Sequence, residues 1–168
     1  MNVITVRPEQ PQDEAFLFEL YASTRQEELG AWGWPPEMRD GFLKMQFKAS
    51  QGYRNAFPDA EFQIVQLDGV NAGRLIVNRT REDLCIVDIA LLSQYRNAGA
   101  GTALLRQIFG EAAAAKKPLR LQVLKGNRAR RLYERLGFVK TSETETHVHL
   151  EWHAPAIPVA ALKTNPAD

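Results

Sequence analysis

Residues 94–105 read QYRNAGAGTALL, and their placement decides the fold: an apolar run precedes them and a helical pattern follows. The run before them, 84–92, is LCIVDIALL, with the aliphatic and β-branched content of a buried strand. A helix is expected from Thr102 to about residue 115, so the loop sits at a strand's carboxyl end. Gly99 and Gly101 have no Cβ, which lets the backbone enter φ > 0 and lets an anion come close. The first turn of the helix leaves its N–H groups unpaired and brings the positive end of its dipole to the same place. Asn97, Ala98 and Ala100 complete a cradle suited to a pyrophosphate. Arg96 adds a charge and the Thr102 hydroxyl a donor.

Two common phosphate folds do not fit. A dinucleotide fingerprint needs a third glycine at position 104, which is Leu, and a P-loop needs Gly-Lys-Ser/Thr, which does not occur. The stretch 121–140, LQVLKGNRARRLYERLGFVK, supplies a second motif: strand, short helix, strand. Asn127 is placed as the helix N-cap, or else as a ligand contact. Ala129, Leu132, Tyr133 and Leu136 mark the apolar face, Gly137 stops the helix and Phe138 returns to the core.

At these residues the chain resembles the GNAT superfamily of N-acetyltransferases. Arg96-Asn97-Ala98-Gly99-Ala100-Gly101 is similar to its Q/R-x-x-G-x-G/A acyl-CoA signature, and 127–138 to its N-x-x-A-x-x-L-Y-x-x-x-G-F segment. The pattern extends over about residues 3–152. Asn97 stands where many members carry Gly, and Ser93 where many carry Pro. The resemblance implies acetyl-CoA (coenzyme A) as donor and an amine as acceptor, joined by direct attack in a ternary complex. It also implies that the strand 84–92 diverges from its neighbour, so that N–H groups of Ala90, Leu91 and Leu92 hold the pantetheine arm and polarise the thioester carbonyl. Arg131 belongs to a basic cluster on the short helix that reads as a solvated face with some contact to cofactor phosphate.

The same comparison places Tyr133 as general acid for the departing thiolate. A phenol is protonated at neutral pH, which suits that role; the alternative is a plain core contact. For the base, Asp88 interrupts an apolar strand, where a carboxylate is costly unless it is paired or functional. It reads either as the base or as the partner of an arginine on an adjacent strand. Glu27 and Glu28 lie beside the loop expected to wall the acceptor side and could draw in a cationic amine. Trp32 reads as part of that wall, able to meet an ammonium by cation–π contact, and Trp34 as an anchor for the loop.

Elsewhere, 3–7 reads as a strand, and 12–29 as a helix with Phe16, Leu17, Leu20, Tyr21 and Thr24 on one face. A second helix from Pro36 carries Met38, Phe42, Met45 and Ala49 at helical spacing. Residues 61–66 and 73–77 form a hairpin turned at Asp68-Gly69, and 146–152 is the last strand. The order β-α-α-β-β-β-α-β-α-β-β predicts an α/β (α+β) fold, a single-domain mixed central β-sheet flanked by helices. That domain is expected over 1–153, with a tail at 154–168 that packs loosely or is disordered.

The chain has 168 residues and a net charge of +1, room for one core and no strong attraction to nucleic acid. Its single cysteine, Cys85, reads as core, and no stretch is long and apolar enough for a signal or membrane span, so a cytoplasmic setting is expected. His147 and His149 alternate on one strand with Glu151 and read as surface residues of an edge strand; no metal is expected. The resemblance allows a homodimer. Besides the enzyme, a GNAT-like CoA-binding module for sensing or assembly fits the same motifs, as does, at greater distance, a nucleotide-phosphate enzyme of another fold.

Overall fold

The computed structural model describes residues 3–31 and 33–155, with the side chains of 26–31 outside that description. Trp32, the side chains of Glu27 and Glu28, and the expected tail from 156 onward therefore lie outside the described residues. The chain begins with β1 (Ile4–Pro8), a 3-10 turn (Pro11–Asp13), α1 (Glu14–Ala31), α2 (Pro36–Ser50) and the single turn α3 (Tyr53–Ala56). There follow β2 (Glu61–Leu67), β3 (Val70–Arg79), β4 (Leu84–Leu91), a 3-10 turn (Ser93–Tyr95) and α4 (Ala100–Ala115). The chain then runs through β5 (Leu119–Leu124), α5 (Ala129–Arg135), β6 (Val139–Glu143) and β7 (His147–Trp152). The expected order of elements holds, with α3 and the 3-10 turns added.

The seven strands form one sheet in the order β1-β2-β3-β4-β5-β7-β6. Every pairing is antiparallel except β4 with β5. Alternation along the strands sends side chains to two separate cores. Val65 joins the larger one, in which Leu104, Leu105 and Ile108 of α4 and Tyr133 of α5 pack on Leu119, Leu121, Val148 and Leu150. Its neighbour Ile64 points the other way, to Leu17 of α1 and Phe47 of α2. The β2–β3 turn puts Asp68 at φ 51° and Gly69 at φ 81°, the left-handed pair that a tight hairpin requires.

Several details differ from the sequence expectations. On α2 the buried residues are Leu43 and Phe47, whereas Met38 and Met45 are 57% and 63% exposed. The helix is rotated by about one residue, because Phe47 packs edge-on to Phe18 at 5.5 Å and close to Tyr21 at 5.8 Å. Thr24 is exposed rather than part of the α1 core face. β7 is interior, paired with β5 on one side and β6 on the other, so His147 and His149 are not on an edge strand.

Asp13 is the one buried charged residue among those described, at 4% exposure. Arg7 donates to both of its oxygens, at 2.8 and 2.7 Å, and the Gln10 N–H donates at 2.8 Å. The Arg7 hydrogen bonds hold the Asp13 carboxyl below its ordinary range, against the opposing effect of burial. A carboxyl with a lowered folded-state pKa stabilises above its unfolded value of about 4, and that stability is lost as pH falls through the folded value. Urea midpoints should therefore fall below pH about 4, and Asp13→Asn should remove this part of the dependence while lowering the midpoint at pH 7.

β3 and β4 are held close at the end nearest the loop. A Cβ on Gly73 would stand 2.2 Å from the Ala90 carbonyl oxygen and 2.7 Å from Leu91 Cδ2. Backbone cannot yield as a flexible side chain would, so Gly73→Ala should cost about 2–3 kcal/mol, measurable by urea denaturation.

Candidate active site

The site is built where the sheet splits. β4 and β5 are paired only through Leu84, Ile86 and the residue between them. Between Ile86 and Asp88 the β3–β4 register shifts, which leaves Val87 as an extra residue on β4. Such a bulge increases local twist and turns the strand. Beyond it β4 runs on with no strand on its β5 side, and a cleft opens between the two carboxyl ends.

Within this cleft the expected N–H donors need correction. The Leu92 N–H donates to the Ala72 carbonyl at 2.9 Å and is not available to a ligand. Alternation along the antiparallel ladder turns the Ala90 N–H toward β3 as well, and leaves those of Ile89 and Leu91 facing the open side. The Leu91 carbonyl follows the same geometry: it faces away from β3 and accepts from Arg96 Nε at 2.8 Å. Of the three expected N–H groups, only that of Leu91 faces the open side. Ile89 was missed because the bulge, which sets the phase of the ladder, leaves no mark in sequence.

The loop after β4 departs in detail from the backbone expected of it. Left-handed backbone occurs at Asn97, φ 59°, and Gly99, φ 83°. Asn is the side chain that best tolerates this region, which accounts for its standing where a glycine is common in the family. Gly101, expected to share that role, is instead helical, with α4 beginning at Ala100 rather than Thr102. The first helical bond runs from the Ala103 N–H to the Gly99 carbonyl at 3.0 Å. No backbone or side-chain acceptor among the described residues takes the N–H groups of residues 97–102. These consecutive unpaired amides stand at the positive end of a helix of 16 residues, an arrangement suited to an anion. Arg96 is exposed and braced on the Leu91 carbonyl, which directs its guanidinium beside the loop.

Across the cleft lies α5. The N-cap is Arg128 rather than the expected Asn127, which stands one residue earlier and accepts from the Ala129 N–H through Oδ1 at 2.9 Å. Arg131 is exposed and makes no ion pair among the described residues, whereas its neighbour Arg130 pairs with Glu134. Tyr133 is buried at 8% exposure and meets the Phe138 ring edge-on at 5.6 Å. Its ring is part of the core, as one of its two sequence readings has it, and its hydroxyl makes no hydrogen bond among the described residues. Burial, and secondarily the negative charge of Asp88, push its pKa up to about 12.

Asp88 is paired, as one of its two sequence readings holds. Arg74 of β3 donates to Asp88 Oδ2 from Nε at 3.0 Å and from Nη2 at 2.7 Å. Oδ1 accepts nothing among the described residues. The charge of Asp88 also acts on Tyr53 of α3, whose pKa is raised first by burial and then by Asp88. Tyr53 follows a helix end with no periodic pattern around it, so sequence offered no signal for its place near the site. Trp34 packs edge-on to Phe42 at 5.2 Å and serves as the loop anchor expected. Burial raises the Cys85 pKa, which keeps the thiol protonated and a poor nucleophile. Among the described residues no group of three or more His, Cys, Asp or Glu could hold a metal, and no helix is long and apolar enough to cross a membrane.

Residues 58–140 match the model of the acetyltransferase (GNAT) domain. The whole architecture is similar to that of PaiA N-acetyltransferase from Thermoplasma acidophilum, crystallised in complex with coenzyme A: TM-score 0.66, 16% identity, covering 90% of this chain and 99% of that one. An acetyltransferase from Thermus thermophilus matches with TM-score 0.66 at 14% identity, over 90% and 97% of the two chains. Ard1 from Thermoplasma volcanium matches with TM-score 0.58 at 18% identity, over 91% and 99%. None of the curated proteins matches the chain significantly in sequence. Residues 58–140 thus resemble the acetyltransferase (GNAT) domain, and the fold is that of the acetyltransferases just named.

Proposed function

We propose that the protein is an N-acetyltransferase that moves an acetyl group from acetyl-CoA to a primary amine of a small molecule or of a protein or peptide, by direct attack in a ternary complex. The observation that carries this is the run of unpaired N–H groups over 97–102 at the mouth of the β4–β5 cleft. In this reading Asn97, Ala98, Gly99, Ala100, Gly101 and Thr102 hold the pyrophosphate, with Arg96 and Arg131 screening phosphate charge. The pantetheine arm lies along the open side of β4, where the Ile89 and Leu91 amides take up the roles of backbone partner and carbonyl polariser. An oxyanion donor of this kind is worth about 3 kcal/mol in related acyl transfers.

Proton movement is then divided between Asp88 and Tyr133. Asp88, held by Arg74, keeps Oδ1 for the acceptor's ammonium or for a water that carries its proton away. Tyr133, at about 12, binds its proton more tightly than a thiol of about 8.5. Complete transfer to the thiolate would be uphill by about 5 kcal/mol at that value. Tyr133 therefore acts as a hydrogen-bond donor to the developing thiolate, and the net proton comes from the amine. Release of coenzyme A thiol from acetyl-CoA, measured across a panel of primary amines, tests the proposal. Amine-dependent release is expected; tight coenzyme A binding with no release for any amine would leave a binding module in its place.

A further inference from the structure

One cross-strand row on the face that α1 and α2 cover ends at the site. Phe62 of β2 pairs with Ile76 of β3, and Ile76 with Asp88 of β4. Directly opposed residues of an antiparallel ladder point to the same side, so these three side chains stand in line. Ile64, two residues along β2 from Phe62, shares their face and marks it by its packing on Leu17 of α1 and Phe47 of α2. Arg74, two residues before Ile76, shares it as well, which lets it reach Asp88 Oδ2. The helix α3 is fastened over the β2 end of this row: the Arg54 guanidinium stands 4.3 Å from the centroid of the Phe62 ring and pairs with Glu9. With strands about 4.8 Å apart, Asp88 lies about 10 Å across the sheet from Phe62.

Tyr53, the residue before Arg54, reaches toward that interval. The charges of Asp88 and Arg74 both act on its hydroxyl. The hydroxyl nevertheless makes no hydrogen bond among the described residues, whereas that of Tyr21 donates to Gln46 Oε1 at 3.2 Å. Tyr53 is 38% exposed, so a ligand can reach it. Asp88 also acts on Tyr133, which belongs to the core on the opposite face. Within range of its charge the carboxylate thus has one phenol from each face of the sheet, and neither phenol has a hydrogen-bond partner among the described residues.

A primary amine at the moment of attack points its lone pair at the thioester carbon and has two N–H bonds left over. Acceptors for both fix that direction. Asp88 Oδ1 takes one, and the proton leaves that way as the N–C bond forms and the nitrogen becomes cationic. The other needs an oxygen that accepts without competing for the proton, and a phenol that burial keeps protonated meets this need. We propose that Tyr53 is this second acceptor: its hydroxyl oxygen takes an N–H of the substrate amine beside Asp88 Oδ1, and so selects primary amines over secondary ones. This rests on the acetyltransferase reading above, in which Asp88 serves the amine.

The test measures acetyl transfer to butylamine, phenethylamine and a peptide with a free α-amino group, each beside its N-methyl derivative, by the full-length protein and by Tyr53→Phe. An N-methyl amine has one N–H at attack, which goes to Asp88 and leaves Tyr53 without a role. Tyr53→Phe should lower kcat/KM for the primary amines by about tenfold, and for the N-methyl amines by no more than about twofold. Coenzyme A affinity, read by isothermal titration, and the melting temperature should stay as they are, since the ring is retained. A primary-amine loss within about twofold, a loss shared equally by the N-methyl amines, or a fall in coenzyme A affinity overturns the assignment of Tyr53 alone. Acetyl transfer to none of these amines by the wild type overturns the acetyltransferase reading, and the role of Tyr53 with it.

Discussion

Gly99→Asp is expected to weaken coenzyme A binding by about 100-fold or more, with the fold retained. Gly99 sits at φ 83° immediately before α4, and a Cβ placed there meets nothing within 4 Å. Steric exclusion is therefore not the cause. A non-glycine residue at this φ costs about 1–2 kcal/mol of local strain. The carboxylate adds repulsion of about 4 kcal/mol against a phosphate charge at 4 Å for an effective dielectric of about 20, reduced where solvent screens it. Gly99→Ala separates the two effects, since it carries the strain without the charge and should weaken binding only about tenfold or less. Isothermal titration with coenzyme A, beside thermal melts of the free proteins, reads both. Equal affinities for the Ala and Asp variants would show that no anion lies against the loop.

Tyr133→Phe is expected to lower kcat by about 10- to 100-fold with little change in coenzyme A affinity. The ring packs against Phe138 and stays in the core after the change, so the variant removes one hydroxyl and little packing. That hydroxyl is unengaged among the described residues, so no buried partner is stranded by its loss. Because the phenol is pushed up to about 12, its ionisation should not shape the kcat–pH profile between pH 6 and about 10. An alkaline limb in that range that vanishes in Tyr133→Phe would mean that the tyrosine titrates much lower when the donor is bound. An unchanged kcat would mean that the Tyr133 hydroxyl makes no hydrogen bond to the departing thiolate in the rate-limiting step.

Much of the fold is legible in sequence because it rests on local signals. The Asp68-Gly69 hairpin, the aliphatic run of β4 and the strand–helix–strand of 121–140 each announce themselves by turn chemistry or periodicity. The face of α2 is different. Met38, Phe42, Met45 and Ala49 form one helical row, and Leu43 and Phe47 lie about one residue around from it. Both rows are apolar enough to be buried. The choice is made by Leu17, Phe18 and Ile64, which come from other elements and offer a socket for Phe47.

The candidate site divides along the same line. By itself the sequence determined that a glycine-bearing loop joins a buried strand to a helix, that Tyr133 lies on the apolar face of a short second helix, and that Asp88 interrupts a strand. These follow from residue type and spacing within a few turns of chain. Only the tertiary structure decided that Arg74 clamps Asp88, that Asn97 rather than Gly101 shares the left-handed backbone with Gly99, and that Ile89 and Leu91 present the open amides of β4. The first and last of these depend on the pairing of β4 with β3 and on the extra residue at Val87, and a strand's hydrogen-bonding phase is a property of two strands side by side, which neither segment carries alone.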